Sequence, residues 1–114
     1  MIRWKIPTSF KSINRTYVVE EIDDTSQTVL AAMDVHSHGI HLPDEAKIFL
    51  DLASENQDLI EHSFLHEWVH SALEASGYEH LSKDEEFVDE FSAMLHQFLQ
   101  TAEGDVQLED ESII

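Results

Sequence analysis

Residues 64 to 73 read Phe64-Leu65-His66-Glu67-Trp68-Val69-His70-Ser71-Ala72-Leu73, and their spacing decides how the chain is read. On a helix of 3.6 residues per turn, positions i and i+4 share a face, so His66 and His70 can present both imidazoles to one metal ion. Glu67 lies beside them, placed to take a proton from an attacking water. The pattern needs a helix, and the flanks supply one. Asp58-Leu59-Ile60-Glu61 has the form of an N-cap followed by Glu three residues later, and Gly77 supplies a C-terminal stop about five turns on.

The ingredients are abundant in this chain. A random ordering of 8 His and 14 Glu among 114 residues would contain HExxH with a probability of about 7%. Its place in the middle of a capped helix is what lifts the motif above coincidence. With residues set about 100° apart, Leu65, Val69, Ala72 and Leu73 form an apolar stripe bordered by His66 and His70, while Glu67 and Glu74 lie further round toward solvent. Histidines at the edge of a buried stripe are partly desolvated, which favours the neutral form a metal requires. Phe64 and Trp68 make the opposite side apolar too, so the helix should pack on more than one face.

At 114 residues the chain can bury one core and build one site. A single domain over residues 1–104 is expected, followed by an acidic, flexible tail over 105–114. There is no cysteine, which excludes disulfides and thiolate ligands and leaves His, Asp and Glu as donors, a set that suits one zinc ion per chain. Met1-Ile2-Arg3-Trp4-Lys5-Ile6-Pro7 lacks the apolar run of a signal peptide, and no segment approaches the roughly 18 apolar residues of a membrane span, so a soluble, cytoplasmic protein is expected. The net charge of −18 argues against direct binding of nucleic acid through its phosphates, although it permits a nucleic-acid mimic. Much of that charge sits in Glu20-Glu21-Ile22-Asp23-Asp24, Asp84-Glu85-Glu86 and Glu109-Asp110-Glu111, runs whose usual meaning is a solvated surface.

Outside the motif, the alternation of Thr16, Val18 and Glu20 against Tyr17, Val19 and Ile22 predicts a strand over 14–22, punctuated by Asp23-Asp24-Thr25-Ser26. Within residues 29–35, Leu30-Ala31-Ala32-Met33 suits either a strand or a helix period, and the stretch is read as a strand ending near a Ser37-His38-Gly39 turn. Pro43-Asp44 reads as a second turn and Lys47-Ile48-Phe49-Leu50-Asp51 as a short strand before the motif helix. A second helix is opened by Ser82 and closed near Ala102-Glu103-Gly104. Its set Phe87, Val88, Phe91, Met94, Leu95, Phe98 and Leu99 keeps helical spacing, which predicts an apolar face buried against the sheet and the motif helix.

Catalytic zinc usually has three protein ligands and one open position, so a third donor must come from elsewhere. The residue ten places after His66 is Ser76, which excludes the pattern with a third His at that spacing. His80 lies beyond Gly77 with nothing to position it. On the second helix Glu85 and Asp89 are i and i+4 and form a polar stripe with Ser92 and His96, Glu90 lies on the other edge, and Glu86 points further away. Ser82-Lys83-Asp84-Glu85 also has the form of a capping box, in which Glu85 would bond the Ser82 backbone. Periodicity leaves Glu85 and Glu90 nearly equal. The run His36-Ser37-His38-Gly39-Ile40-His41 is a further histidine cluster, more often an exposed polar loop than a metal site.

HEWVH followed by Glu85-Glu86-Phe87-Val88-Asp89-Glu90-Phe91-Ser92 resembles gluzincin-type metallopeptidases, in particular ImmA/IrrE-like domains and the small HExxH proteins of phages and prophages. The likeness spans roughly residues 35 to 100 and is specific at HExxH. It implies that the downstream helix carries a Glu ligand with an Asp four residues later supporting a metal-bound His, which makes Glu85 the third ligand and Asp89 its companion. Val88 and Ser92 stand where small Ala residues are usual, and a Leu-Met-Pro segment is missing, departures that touch subfamily and substrate.

The fold expected is therefore α+β, a minimal zincin-like domain with a small sheet beside the motif helix and the second helix. The function expected is hydrolysis of a peptide or protein substrate, with Glu67 as general base, and by analogy with zincins an extended peptide pairs with the sheet edge near residues 47 to 51. Phage origin, implied by the resemblance alone, would place the protein in the host cytoplasm. The rival reading is a non-enzymatic phage accessory protein, with a structural metal or with an acidic surface that mimics DNA to occupy a host protein partner.

Overall fold

The computed structural model describes residues 5–22, 39–52, 56–104 and 106. They form an α+β fold of four strands and three helices. In chain order these are β1 (Ser9–Ser12), β2 (Arg15–Glu21), β3 (Gly39–Leu42), a 3-10 turn (Pro43–Glu45), β4 (Lys47–Leu50), α1 (Gln57–Ala75), the single-turn α2 (Glu79–Ser82) and α3 (Glu85–Thr101). The expected strand over 29–35, the punctuation at 23–26 and most of the 105–114 tail lie outside the described residues. So do His36 and His38.

The sheet is mixed, in the order β1-β2-β4-β3. β1 and β2 form an antiparallel hairpin whose turn places Ile13 at φ 55°, β2 runs parallel to β4, and β3 returns antiparallel to β4. The Pro43-Asp44 turn forms as the 3-10 segment, closed by Ala46 in the left-handed region at φ 52°. This order corrects the expected docking edge. Lys47–Leu50 is interior, paired on both sides, and among the described residues the edge strand next to the motif helix is β3.

Register decides which side chains meet α1. Successive residues of a strand point to opposite faces, and Ile48 and Leu50 are wholly buried. Their partners His41 and Gly39 on β3 and Val19 on β2 therefore share the helix-facing side. Ile48, Leu50, Tyr17 and Ala46 pack against Phe64 and Leu65, with Trp68, Leu95 and Leu99 closing the periphery. Each fully buried Ile, Leu or Phe contributes about 2 kcal/mol of transfer free energy. Phe64 and Trp68 do carry the second packed face of α1.

The helix starts are shifted from those expected. Asn56, not Asp58, caps α1, its Oδ1 accepting from the Leu59 N–H at 3.1 Å. Asn is as good a cap as Asp, so the helix begins earlier and Asp58 falls in its first turn. Gly77 does end the helix region, at φ 84°, with Tyr78 N–H donating to Leu73 O and Gly77 N–H to Glu74 O, the bond pair of a Schellman motif. Asp84, not Ser82, caps α3 by accepting from the Phe87 N–H. Ser82 belongs to α2, so the expected capping box does not form and Glu85 is released from it.

The apolar face of α3 is only partly covered, which corrects the expected packing. Val88 is fully buried and Leu95 and Leu99 lean on the core, yet Phe91, Met94 and Phe98 are exposed. What turns toward α1 is the polar edge through Glu85, Asp89, Ser92 and His96. α1 offers His62, His66, His70 and Glu61 at that surface, so each polar group finds a partner.

Candidate metal centre

The two helices run antiparallel, and their facing side chains pair in sequence along the contact. His70 meets Ser82 and Glu85, His66 meets Glu85 and Asp89, His62 meets Asp89 and Ser92, and Glu61 meets His96. At the end near α2, one donor atom from each of His66, His70 and Glu85 lies within 4.8 Å of the other two. Glu85 Oε2 is 3.1 Å from His66 Nε2, and Glu85 Oε1 is 3.1 Å from His70 Nε2.

The far nitrogens of both rings are also engaged. His66 Nδ1 lies 3.4 Å from Asp89 Oδ1, and His70 Nδ1 lies 2.8 Å from Ser82 Oγ. Facing a carboxylate, which only accepts, each Nε2 donates its N–H in the metal-free chain, and a bound metal would take the Nε2 lone pair with the proton moved to Nδ1, where Asp89 or Ser82 Oγ can accept it. Both Nε2 atoms converge on the same carboxylate. Burial, outweighing the neighbouring Glu85, pulls the His70 pKa below its ordinary value and favours the neutral ring a metal needs. Two imidazoles and a carboxylate are a donor set that fits zinc or a similar divalent ion, and all three residues border an adjoining cavity.

That cavity, about 510 Å³, is walled by Gly39, Ile40, His41 and Pro43 on one side and by His66, Glu67, His70, Glu74, Ser82 and Glu85 on the other. Glu67 is buried, at 8% exposure, which corrects the expectation that it points toward solvent. The edge strand explains the difference. A Cβ added to Gly39 would lie 3.4 Å from Glu67 Cγ, so β3 passes directly over that side of α1. Burial raises the Glu67 pKa to about 7, with the His66 charge and a hydrogen bond from the His41 backbone pulling it down and Glu85 and Glu74 pushing it up.

His41, from the histidine-rich run, lines the cavity without joining the ligand group. Its Nε2 is 2.9 Å from the Tyr17 hydroxyl and its Nδ1 is 3.2 Å from Glu74 Oε2, so both nitrogens are committed. Burial first, then the charges of His70 and Arg15, lower its pKa to about 4. The ring is thus neutral at pH 7, with the Tyr17 hydroxyl donating to Nε2 and Nδ1–H donating to Glu74. This chain ties β2, β3 and α1 together beside the site.

Of the residues weighed from sequence, the structure gathers His66, His70 and Glu85, sets Asp89 behind His66 and places Glu67 on the cavity wall. Glu86 and Glu90 are exposed and outside the ligand group, and the His80 ring lies tilted beside Tyr78, with centroids 6.1 Å apart. Sequence reasoning missed Ser82 as the partner of His70, and Gly39 and His41 as wall residues. Only the helix-capping pattern pointed at Ser82, and it pointed to the wrong role. No protein-family model matches this chain, and no curated protein or solved structure matches it.

Proposed function

We propose that this chain is a zinc-dependent hydrolase of peptide bonds, a minimal gluzincin-like domain in which His66, His70 and Glu85 hold the metal. The observation that carries this reading is the paired orientation of the two imidazoles. Each has its Nδ1 occupied, by Asp89 or Ser82, and its Nε2 turned to Glu85, beside a cavity whose wall holds a buried carboxylate. Zinc, when bound, would polarise the scissile carbonyl and acidify a water.

Glu67 does the proton chemistry. A carboxyl with a pKa near 7 is close to half protonated at neutral pH, so it can accept a proton from the attacking water and return it to the leaving amine. Asp89 and Ser82 keep the two rings in register through the cycle. An extended peptide would pair with the side of β3 left unpaired among the described residues, where Gly39, Ile40 and His41 border the cavity. No helix among the described residues is long and apolar enough to cross a membrane.

The experiment is a peptide-library digestion with the zinc-loaded protein and its Glu67→Gln variant. The wild type should cleave, and the variant should keep its zinc and fold while losing cleavage, because an amide cannot accept the proton. If the wild type is inert and spectroscopy shows four protein ligands around the zinc, the centre is structural and the non-enzymatic reading stands in its place.

A further inference from the structure

At the opposite end of the α1–α3 contact lies a second group of metal-binding side chains, which the proposed hydrolysis does not use. Asp58 and Glu61 are three residues apart on α1 and so share a side of it, and His96 reaches them from α3. One donor atom from each lies within 4.8 Å of the others. Glu61 is 2% exposed, with Oε1 at 2.9 Å from His96 Nε2 and Oε2 accepting from the Gln57 amide at 3.1 Å. Asp58 Oδ1 accepts from the Gln100 amide at 2.8 Å. Amide donors on the carboxylates fix their orientation, as hydrogen bonds from the protein fix ligating carboxylates around metals. The His96 ring is steadied by His62, stacked at 6.3 Å and itself bonded to Ser92.

We propose that Asp58, Glu61 and His96 form a second divalent-cation site that clasps the N-terminal half of α1 to the C-terminal half of α3. One imidazole and two carboxylates make an N/O donor set suited to zinc and neighbouring first-row ions. Bonds of roughly 2.0 to 2.2 Å bring donors to about 3.4 Å from one another, so the group needs to contract by no more than about 1.5 Å on helices already in contact. The site is separate from the first. About 13 Å of helix rise lies between the midpoint of Asp58 and Glu61 and that of His66 and His70, whereas ions that share a reacting group sit about 3.5 to 4 Å apart. Its role is to hold the helix pair.

The test uses the full chain, stripped with chelator and titrated with zinc chloride by calorimetry, with metal content counted after gel filtration. Wild type should take two equivalents, and His66→Ala/His70→Ala should keep one. His96→Gln, which retains an amide for Glu61, and Asp58→Asn, at an exposed position, should each lower affinity at the second site at least tenfold while leaving the first equivalent intact. A wild type that takes one equivalent, or a second equivalent unchanged in both His96→Gln and Asp58→Asn, overturns the proposal and leaves Glu61 and His96 as an ion pair only. The hydrolase reading is decided separately, by the equivalent that depends on His66 and His70.

Discussion

Ser82 Oγ lies 2.8 Å from Nδ1 of His70, and this bond makes a residue with the sequence signature of a helix cap into the group that orients the imidazole facing Glu85. Asp84 takes over the cap two residues later, so the serine costs α3 nothing. The same displacement frees Glu85, whose two oxygens then divide between His66 and His70.

Ser82→Ala should therefore weaken zinc binding without unfolding the chain. Losing a hydrogen bond behind a ligating His typically costs about 10 to 100-fold in affinity. Glu85→Ala, which removes a donor, should cost more, and Glu86→Ala or Glu90→Ala should cost little. Competition against a chromogenic chelator ranks the four variants. A Glu90→Ala effect as large as that of Glu85→Ala would overturn the ligand assignment.

Two buried groups should give opposite pH signatures in the metal-free protein. His41 titrates near 4 when folded and near 6.5 when unfolded, so between those values the unfolded chain binds the extra proton. Stability present above pH 6.5 is lost as the pH falls toward 4. Glu67 titrates near 7 when folded against 4.5 unfolded, so its contribution is full below pH 4.5 and lost as the pH rises through 7. In urea titrations His41→Gln should lose less stability than wild type on acidification from 6.5 to 4, by on the order of 1 to 2 kcal/mol once solvent screening is allowed for. Glu67→Gln should lose less than wild type from 4.5 to 7. Parallel pH slopes for wild type and both variants would mean that neither group is desolvated as described.

Much of the site was legible because it rests on helical periodicity, which is local. His66, His70 and Glu67 follow from spacing within one helix, and the stripe Glu85, Asp89, Ser92 and His96 follows from spacing within another. The choice among Glu85, Glu86 and Glu90 was not legible from the chain alone, since it depends on how α3 is rotated against α1. That rotation is set by the polar partners α1 offers rather than by the apolar residues of α3, which is why Phe91, Met94 and Phe98 remain exposed. β1 escaped notice because Ser9-Phe10-Lys11-Ser12 has one apolar residue and its hairpin turns through Ile13 and Asn14, without a glycine. The edge position of β3 is a matter of strand order, which local pattern does not encode.

Gly39 is required by the close approach of β3 to its neighbours. An added Cβ would stand 3.1 Å from Leu50 Cδ2, 3.2 Å from the Phe49 carbonyl oxygen and 3.4 Å from Glu67 Cγ. Gly39→Ala should push the edge strand outward and cost about 1 to 3 kcal/mol, with Glu67 more solvated as a result. Chemical denaturation measures the first effect. The second should appear as a Glu67 pKa moved from about 7 toward its ordinary 4.5, read by carbon NMR of the carboxyl. An unchanged stability in Gly39→Ala would mean that β3 does not press on the site.

Metal binding should couple the two helices, because His66 and His70 come from α1 and Glu85 from the first turn of α3. An ion that binds only when the three donors converge favours the docked arrangement by mass action, so the zinc-loaded protein should melt at a higher temperature than the stripped one. Acidification from pH 7 toward 5 should reverse this as protons compete for the two rings. Without metal, Val88 remains buried and the core around Ile48, Leu50 and Phe64 is untouched, so the stripped chain should stay folded. The loosening due to this ion should fall between Gly77 and Glu90, which carries α2, Ser82 and the start of α3. Hydrogen exchange with and without chelator tests this directly. Faster exchange in that segment after stripping, absent from a Glu85→Ala variant, would fit a metal bridging α1 and α3 through Glu85, whereas identical protection would mean that Glu85 does not ligate and that His66 and His70 find their third donor elsewhere.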